Sequence, residues 1–235
     1  MMKAIIVGAS SGIGYEVAKL LIAKGWIVGV AARRVDRLMD LKASYVEQID
    51  VTMGDADQKL SNLIHIMGGI DLYFHVSGIG KQNRNLFPDI ELNTVQTNAL
   101  GFTRMVGEAY RHFAIQGKGH IACISSIAGT KGLGPAPSYS ATKAFQNVYM
   151  QALEQQAQSR NLAISFTDIR PGFVDTDLLN GDFHYPLMLK PERVAKTIVH
   201  AIIHQRRIVV IDWKWRLITF FWSLLPNRLW RLLKL

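Results

Sequence analysis

A doubly wound α/β sheet is the fold class this sequence predicts, and three observations carry the prediction. Short apolar runs recur between longer amphipathic segments, and most of those runs are nearly all apolar instead of alternating. The first of them ends in a glycine-rich loop that opens directly into a helical pattern. Strands alternating with helices call for parallel strands joined by crossover helices. Runs apolar on both faces belong to a sheet covered on both sides. With 235 residues, 49% of them hydrophobic and 19% charged, the chain can bury a substantial core and is too apolar to be disordered.

Taken in order, the strand candidates are 4–7, 27–31, 45–49, 72–76, 121–124, 164–169 and 208–211. Amphipathic patterns at 12–24, 55–67, 94–116, 138–159 and 191–204 predict the intervening helices. The first apolar run, Lys3 to Val7, has five residues before the glycines, too short for a signal peptide, and reads as a strand. Cys123 sits alone in an apolar run, so no disulfide framework is expected, which suits a reducing compartment. The whole predicts one Rossmann-type domain over 1–212, with about seven parallel strands, and an amphipathic helical extension over 213–235. Ligands of such sheets bind beyond the carboxyl ends of the strands, where strand order reverses.

After the first strand comes Gly8-Ala-Ser10-Ser11-Gly12-Ile13-Gly14. Glycines let a backbone turn tightly and approach a pyrophosphate, while the helix that follows offers free N–H groups at its N-terminus. An NAD binder carries an acidic residue at the end of the next strand, to hold the ribose 2′-hydroxyl. Here that strand runs instead into Arg33 and Arg34. Guanidinium groups recognise phosphate, so NADP(H) is expected over NAD(H), with Arg33 the nearer to the strand. Asp50 and Val51, after the third strand, are placed to meet the adenine edge.

The fifth strand leaves Ser125 and Ser126 at its carboxyl end, and Tyr139 and Lys143 follow four apart in "SYSATKAF". Four apart on a helix means one face, so a phenol stands beside an ammonium. A phenol with its usual pKa of about 10 is a poor base near neutrality. A lysine ammonium held close, together with the positive charge of the oxidised nicotinamide, favours the phenolate, so Tyr139 is expected to have a lowered pKa and to act as a general acid and base.

These residues together resemble the short-chain dehydrogenase/reductase family over roughly residues 3–212. The matching pieces are "GASSGIG", "NALG" at 98–101, "SS" at 125–126, "YSATK" at 139–143 and "RPGFVDT" at 170–176. The resemblance implies that Tyr139 is the acid/base and that Lys143 also holds the nicotinamide ribose. It implies that Ser126, chosen over Ser125 by the spacing to Tyr139, binds the substrate oxygen and stabilises charge there. Asn98 would kink its helix and hold a water of the proton relay. Gly78 would let the adenine ribose approach. Pro171 and Gly172 would turn the chain beside the nicotinamide, with Val174 and Thr176 contacting its carboxamide and phosphates. Residues 177–189 fall where the family keeps a mobile substrate loop, to which Phe183, Tyr185, Leu187 and Met188 would give an apolar inner surface. Helices at 94–116 and 138–159 would build a homodimer or homotetramer. One departure is "HVS" at 75–77, where the family usually shows Asn-Asn-Ala; His75 is expected to be structural. No His/Cys/Asp cluster has metal-ligand spacing, so no metal is expected.

The extension is distinct in composition. Residues 206–235 hold seven Lys or Arg against one Asp, +6 of the total +9, and four of the five tryptophans. The longest uncharged apolar run, 217–225, is nine residues, against the roughly 20 needed to span a bilayer. Trp213, Leu217, Phe220 and Leu224 share one helical face, then Leu229, Trp230, Leu232 and Leu233 oppose Arg228, Arg231 and Lys234. Tryptophan with a basic face is the pattern of an interfacial helix on anionic lipid, which places the protein in the cytoplasm, peripheral to the inner membrane face. Packing of the stripe on the domain or on a sister subunit is the competing reading. No basic groove motif accompanies the charge, so nucleic acid is not an expected partner. The expected activity is hydride transfer between NADP(H) and a small-molecule carbonyl or alcohol, a hydrophobic or lipid-linked ketone. A non-catalytic NADPH-binding regulator or scaffold is the alternative, disfavoured by the intact serine, tyrosine, lysine and asparagine set.

Overall fold

The computed structural model describes residues 1–179 and 185–233. Among the described residues seven strands are found: β1 (Lys3–Val7), β2 (Ile27–Ala32), β3 (Tyr45–Gln48), β4 (Leu72–His75), β5 (Lys118–Ile124), β6 (Ala163–Arg170) and β7 (Ile208–Val210). They form one sheet in the order β3-β2-β1-β4-β5-β6-β7, every neighbouring pair parallel. The helices are α1 (Gly12–Ala23), α2 (Asp36–Met39), α3 (Ala56–Ile66), α4 (Pro88–Val95), α5 (Phe102–Gln116), α6 (Pro137–Ser159), α7 (Pro191–Ile203), α8 (Trp213–Leu224) and α9 (Asn227–Trp230).

Alternation along each strand sends side chains to two cores. Ile5, Val7 and Tyr73 join Leu60, Phe102 and Phe113 on the face covered by α3, α5 and α6. Ala4, Ile6 and Phe74 join Val17, Leu21 and Ile198 on the face covered by α1 and α7. Complete burial of a side chain such as Phe102 or Leu21 contributes roughly 1.5–3 kcal/mol of transfer free energy. Strand order reverses between β1 and β4, whose carboxyl ends therefore open a crevice.

Two departures from the sequence reading bear on that crevice. The helix expected from Thr94 begins at Pro88, where proline suits a first turn. It also continues through a π-helical stretch, Gln96–Gly101, before α5, so Asn98 lies in the irregular turn. Single π turns within helices are associated with functional sites. The short α2 carries too few residues to register as a periodic pattern.

Candidate active site

The glycine loop lies at the strand-order switch. Gly8 and Gly12 take φ of +97° and +54°, a region that L side chains rarely adopt. A Cβ on Gly8 would come within 2.5 Å of the Ser77 nitrogen, so β1 and β4 approach each other there without side chains between them. Gly12 faces the Thr176 methyl, and Gly14 packs on the Gly8 carbonyl, which brings the loop after β6 against the loop after β1. Ser10, Ser11 and Ile13 are partly buried, and Ser11 precedes α1 without a side-chain cap bond. This cradle and the first-turn amides of α1 fit a dinucleotide pyrophosphate.

Of the two arginines, Arg34 reaches the loop. Its Nη2 donates to Ser11 Oγ at 3.1 Å and lies 3.7 Å from an Asp177 carboxylate oxygen. Arg33, the nearer in sequence, is exposed, and its carbonyl accepts from Gln48. Arg37 joins the same carboxylate at 3.1 Å, a contact that sequence reasoning did not single out. Asp50 turns inward on Thr52, accepting from its N–H and hydroxyl, while Val51 is buried and its carbonyl accepts from Arg104. Val174 is buried and bridges to Leu189, and the Pro171 carbonyl accepts from Ile127.

Ser126, Tyr139, Lys143 and Asn98 converge beside this cradle. Ser126 follows β5 in extended backbone, its Oγ accepting from the Ala128 N–H at 3.0 Å. Lys143 is buried, with Nζ donating to the Ile124 carbonyl at 2.8 Å and to Gln146 Oε1 at 3.0 Å. The ammonium sits 5.7 Å from the Tyr139 ring centroid. Asn98 clamps the β4 loop through Ile79, accepting from its N–H at 2.8 Å and donating to its carbonyl at 2.7 Å. Gly78 packs between the Asn98 and Lys143 side-chain tips.

Burial raises the Tyr139 pKa, with a hydrogen bond from Ser126 pulling the other way. Among the protein's own groups, burial outweighs that pull. Burial instead depresses Lys143 to about 8, against the opposing pull of Cys123 and Asp168. Removing water from both groups penalises phenolate and ammonium alike.

Three features of the site were not singled out in the sequence. Gly80 faces the Tyr139 ring so closely that a Cβ would lie 2.6 Å from it. Gln146 links Lys143 to the Asn98 carbonyl, to which its Nε2 donates at 2.9 Å. Behind the site, the Ser125 hydroxyl donates to buried Asp168, which is paired with Arg170 Nη2 at 2.6 Å. Ser125 is thus committed to the sheet and Ser126 faces the cleft. His75 is buried too, its Nδ1 2.9 Å from the Tyr73 hydroxyl, as a structural residue would be. Tyr185 packs on Phe173, Leu187 and Met188 are partly exposed, and Phe183 lies outside the described residues. Among the described residues no group of three or more His, Cys, Asp or Glu is placed to hold a metal.

The family description "short chain dehydrogenase" matches residues 2–184 of this sequence. The chain belongs to that family. An oxidoreductase of Mycobacterium tuberculosis is 31% identical over 245 residues, with 97% of this chain and 96% of that protein covered. A Myxococcus xanthus oxidoreductase is 29% identical, covering 96% and 93%. Among solved structures, an alcohol dehydrogenase from Thermococcus sibiricus complexed with 5-hydroxy-NADP superposes with a TM-score of 0.77 at 23% identity, covering 90% of this chain and 95% of that one. A 3-ketoacyl-(acyl-carrier-protein) reductase from Brucella melitensis complexed with NADH gives 0.80 at 20% identity, covering 90% and 96%. At these identities the structures establish the fold. As a short-chain dehydrogenase, the protein is an oxidoreductase of the type that acts on CH–OH and C=O groups.

Proposed function

We propose that this short-chain dehydrogenase is an NADP(H)-dependent carbonyl reductase or alcohol dehydrogenase. The observation that carries the reading is the convergence of Ser126, Tyr139 and Lys143 beside a glycine cradle overhung by Arg34. Gly8, Gly12, Gly14 and the α1 N-terminus would hold the pyrophosphate, Arg34 the 2′-phosphate, and Lys143 the nicotinamide ribose. Bound NADPH supplies the hydride, two electrons to the carbonyl carbon.

The protein then has one proton to manage. A ketone oxygen accepts hydrogen bonds from Ser126 and Tyr139, and as charge develops on it the phenol proton moves to that oxygen. A raised phenol pKa suits the donor role, because the neutral phenol is the form that gives the proton. Lys143 then offsets the phenolate left behind, and the pair is reprotonated from solvent. Oxidation of an alcohol reverses these steps, with Tyr139 taking the proton.

The tail favours an apolar or lipid-linked ketone and a position at an anionic membrane surface. Its outward side chains Trp213, Phe220 and Leu224 are each more than half exposed, among basic residues. Among the described residues no helix is long and apolar enough to cross a membrane. Exposed Leu92, Val95 and Val148 support assembly into a homodimer or homotetramer through the α4–α5 and α6 faces.

The test is turnover of a ketone panel with NADPH and with NADH, for wild type and Tyr139→Phe. The variant should bind NADPH as wild type does and lose turnover. A Tyr139→Phe protein that retains its rate overturns the mechanism. Tight NADPH binding without turnover of any ketone or alcohol would instead favour a nucleotide-sensing protein on the same fold.

A further inference from the structure

α8 presents two different faces. Toward the domain, Trp215 is buried, its ring edge-on to Phe173 with centroids 5.4 Å apart. Its Nε1 donates to the Leu187 carbonyl at 3.4 Å. The indole also stands over Gly172, where a Cβ would lie 2.2 Å from Nε1. Further along, Lys131 Nζ donates to the Leu225 carbonyl at 3.0 Å and to Asn227 Oδ1 at 2.8 Å. Trp230 Nε1 donates to the Gly132 carbonyl at 2.7 Å. One end of the extension therefore grips the segment after β6, and the other grips the segment between Ser126 and Tyr139. These two segments lead directly from the catalytic and cofactor-cradling residues.

Away from the domain, Trp213, Leu217, Phe220, Phe221 and Leu224 are 63, 51, 57, 56 and 63% exposed. Lys214, Arg216, Arg228 and Arg231 are exposed around them. A second copy seated on this face would oppose like charge to like, which Coulomb repulsion disfavours. Anionic headgroups match the charge, and the aromatic and leucine side chains match the acyl boundary beneath them.

We propose that the extension is a lipid-operated clamp on the active site. Docking of the outer face of α8 on an anionic bilayer fixes the segments at 130–136 and 171–179 in the arrangement that turnover needs. The proposal rests on the carbonyl-reductase reading and adds its regulation. A ligand shifts such an equilibrium only by binding one arrangement better than the other. Lipid does so here because the extension it touches holds both segments, 171–179 through Trp215 of α8 and 130–136 through Leu225, Asn227 and Trp230 just beyond it.

The experiment uses the full chain with phosphatidylcholine vesicles, with and without phosphatidylglycerol. A short water-soluble ketone is the substrate, so that partitioning into lipid does not enter. The chain should co-sediment with the anionic vesicles only, kcat/KM should rise severalfold there, and hydrogen exchange at 130–136 and 171–179 should slow. Trp230→Ala should still co-sediment and lose the rate response. Co-sedimentation with unchanged exchange overturns the clamp and leaves the carbonyl-reductase reading standing. Failure to co-sediment overturns lipid as the occupant, and an assembly state that changes with Phe220→Glu would then assign the face to a second copy. Slowed exchange without turnover of any ketone upholds the clamp and sinks the carbonyl-reductase reading instead.

Discussion

Gln146 holds Lys143 and Asn98 together: its Oε1 accepts from the lysine Nζ at 3.0 Å, and its Nε2 donates to the Asn98 carbonyl at 2.9 Å. An ammonium can only donate and a carbonyl can only accept, so the amide fits one way round. The link between Lys143 and Asn98 in this protein therefore runs through a fully buried side chain.

Changing that amide should move a titration. Gln146→Glu places a carboxylate beside Lys143 and favours its charged form, raising a pKa that now lies at about 8. The alkaline limb of kcat against pH should rise by about one unit or more. Gln146→Leu removes an acceptor and should shift the limb downward. A limb unmoved in both variants would show that Gln146 only fills space.

Gly80→Ala tests the seat of the phenol. The added methyl would meet the Tyr139 ring at 2.6 Å, so the ring must move. A displacement of about 1 Å at a reacting group can cost on the order of 100-fold in rate. The variant should lose kcat to about that extent, with NADPH affinity nearly unchanged by fluorescence titration.

Cofactor choice should depend on Arg34 more than on Arg33. Loss of a hydrogen bond to a charged group costs about 1.5–3 kcal/mol, which is tenfold or more in affinity. Arg34→Ala should reduce the preference for NADPH over NADH by about that factor. Asp177→Asn should do the reverse, since the carboxylate paired with Arg34 and Arg37 competes with a 2′-phosphate. Steady-state KM values for both cofactors decide between them.

Acid should destabilise the fold through buried imidazoles. Burial lowers His75 to about 3 and His120 to about 4. The unfolded chain takes up these protons from about pH 6.5 downward, whereas the folded one does not until the lower values. Stability therefore falls as pH drops from about 6.5 toward 4, each histidine adding a slope of about 1.4 kcal/mol per pH unit. Urea unfolding across that window should show the slope, and His120→Gln should flatten it.

Asp168 is the fifth test. Its carboxylate is buried against Arg170 and Ser125, and breaking one partner of a buried pair costs about 3–5 kcal/mol. Asp168→Asn should lower the thermal midpoint while leaving the identity of the proton donor unchanged.

Much of this was legible in the chain. An apolar run such as Ile27–Ala31 marks a strand because burial on both faces leaves no polar position in it, whereas Ile164–Ile169 keeps Ser165, Thr167 and Asp168 among its apolar residues. The glycine loop and the Tyr139–Lys143 pair are short-range patterns whose spacing the helix geometry converts directly into proximity. Gln146, Gly80 and Asp168 were not legible, because each acts on a partner in another segment or through the exact depth of a turn. Nothing in "KAFQ" says that the glutamine points at residue 98, and nothing in "SGIG" says which glycine lies under the tyrosine ring.

The order of elements, the glycine loop and the pairing of Tyr139 with Lys143 on one helix face follow from the sequence alone, because local hydrogen bonding, apolar periodicity and helix spacing dictate them. The electrostatic balance at Tyr139 and Lys143 and the contact of Arg34 with Ser11 were decided by tertiary packing. So was the division of α8 into a face that holds the cleft and a face left bare. Desolvation and long-range contact depend on what surrounds a residue in space, and that becomes defined only when the whole chain has closed on itself.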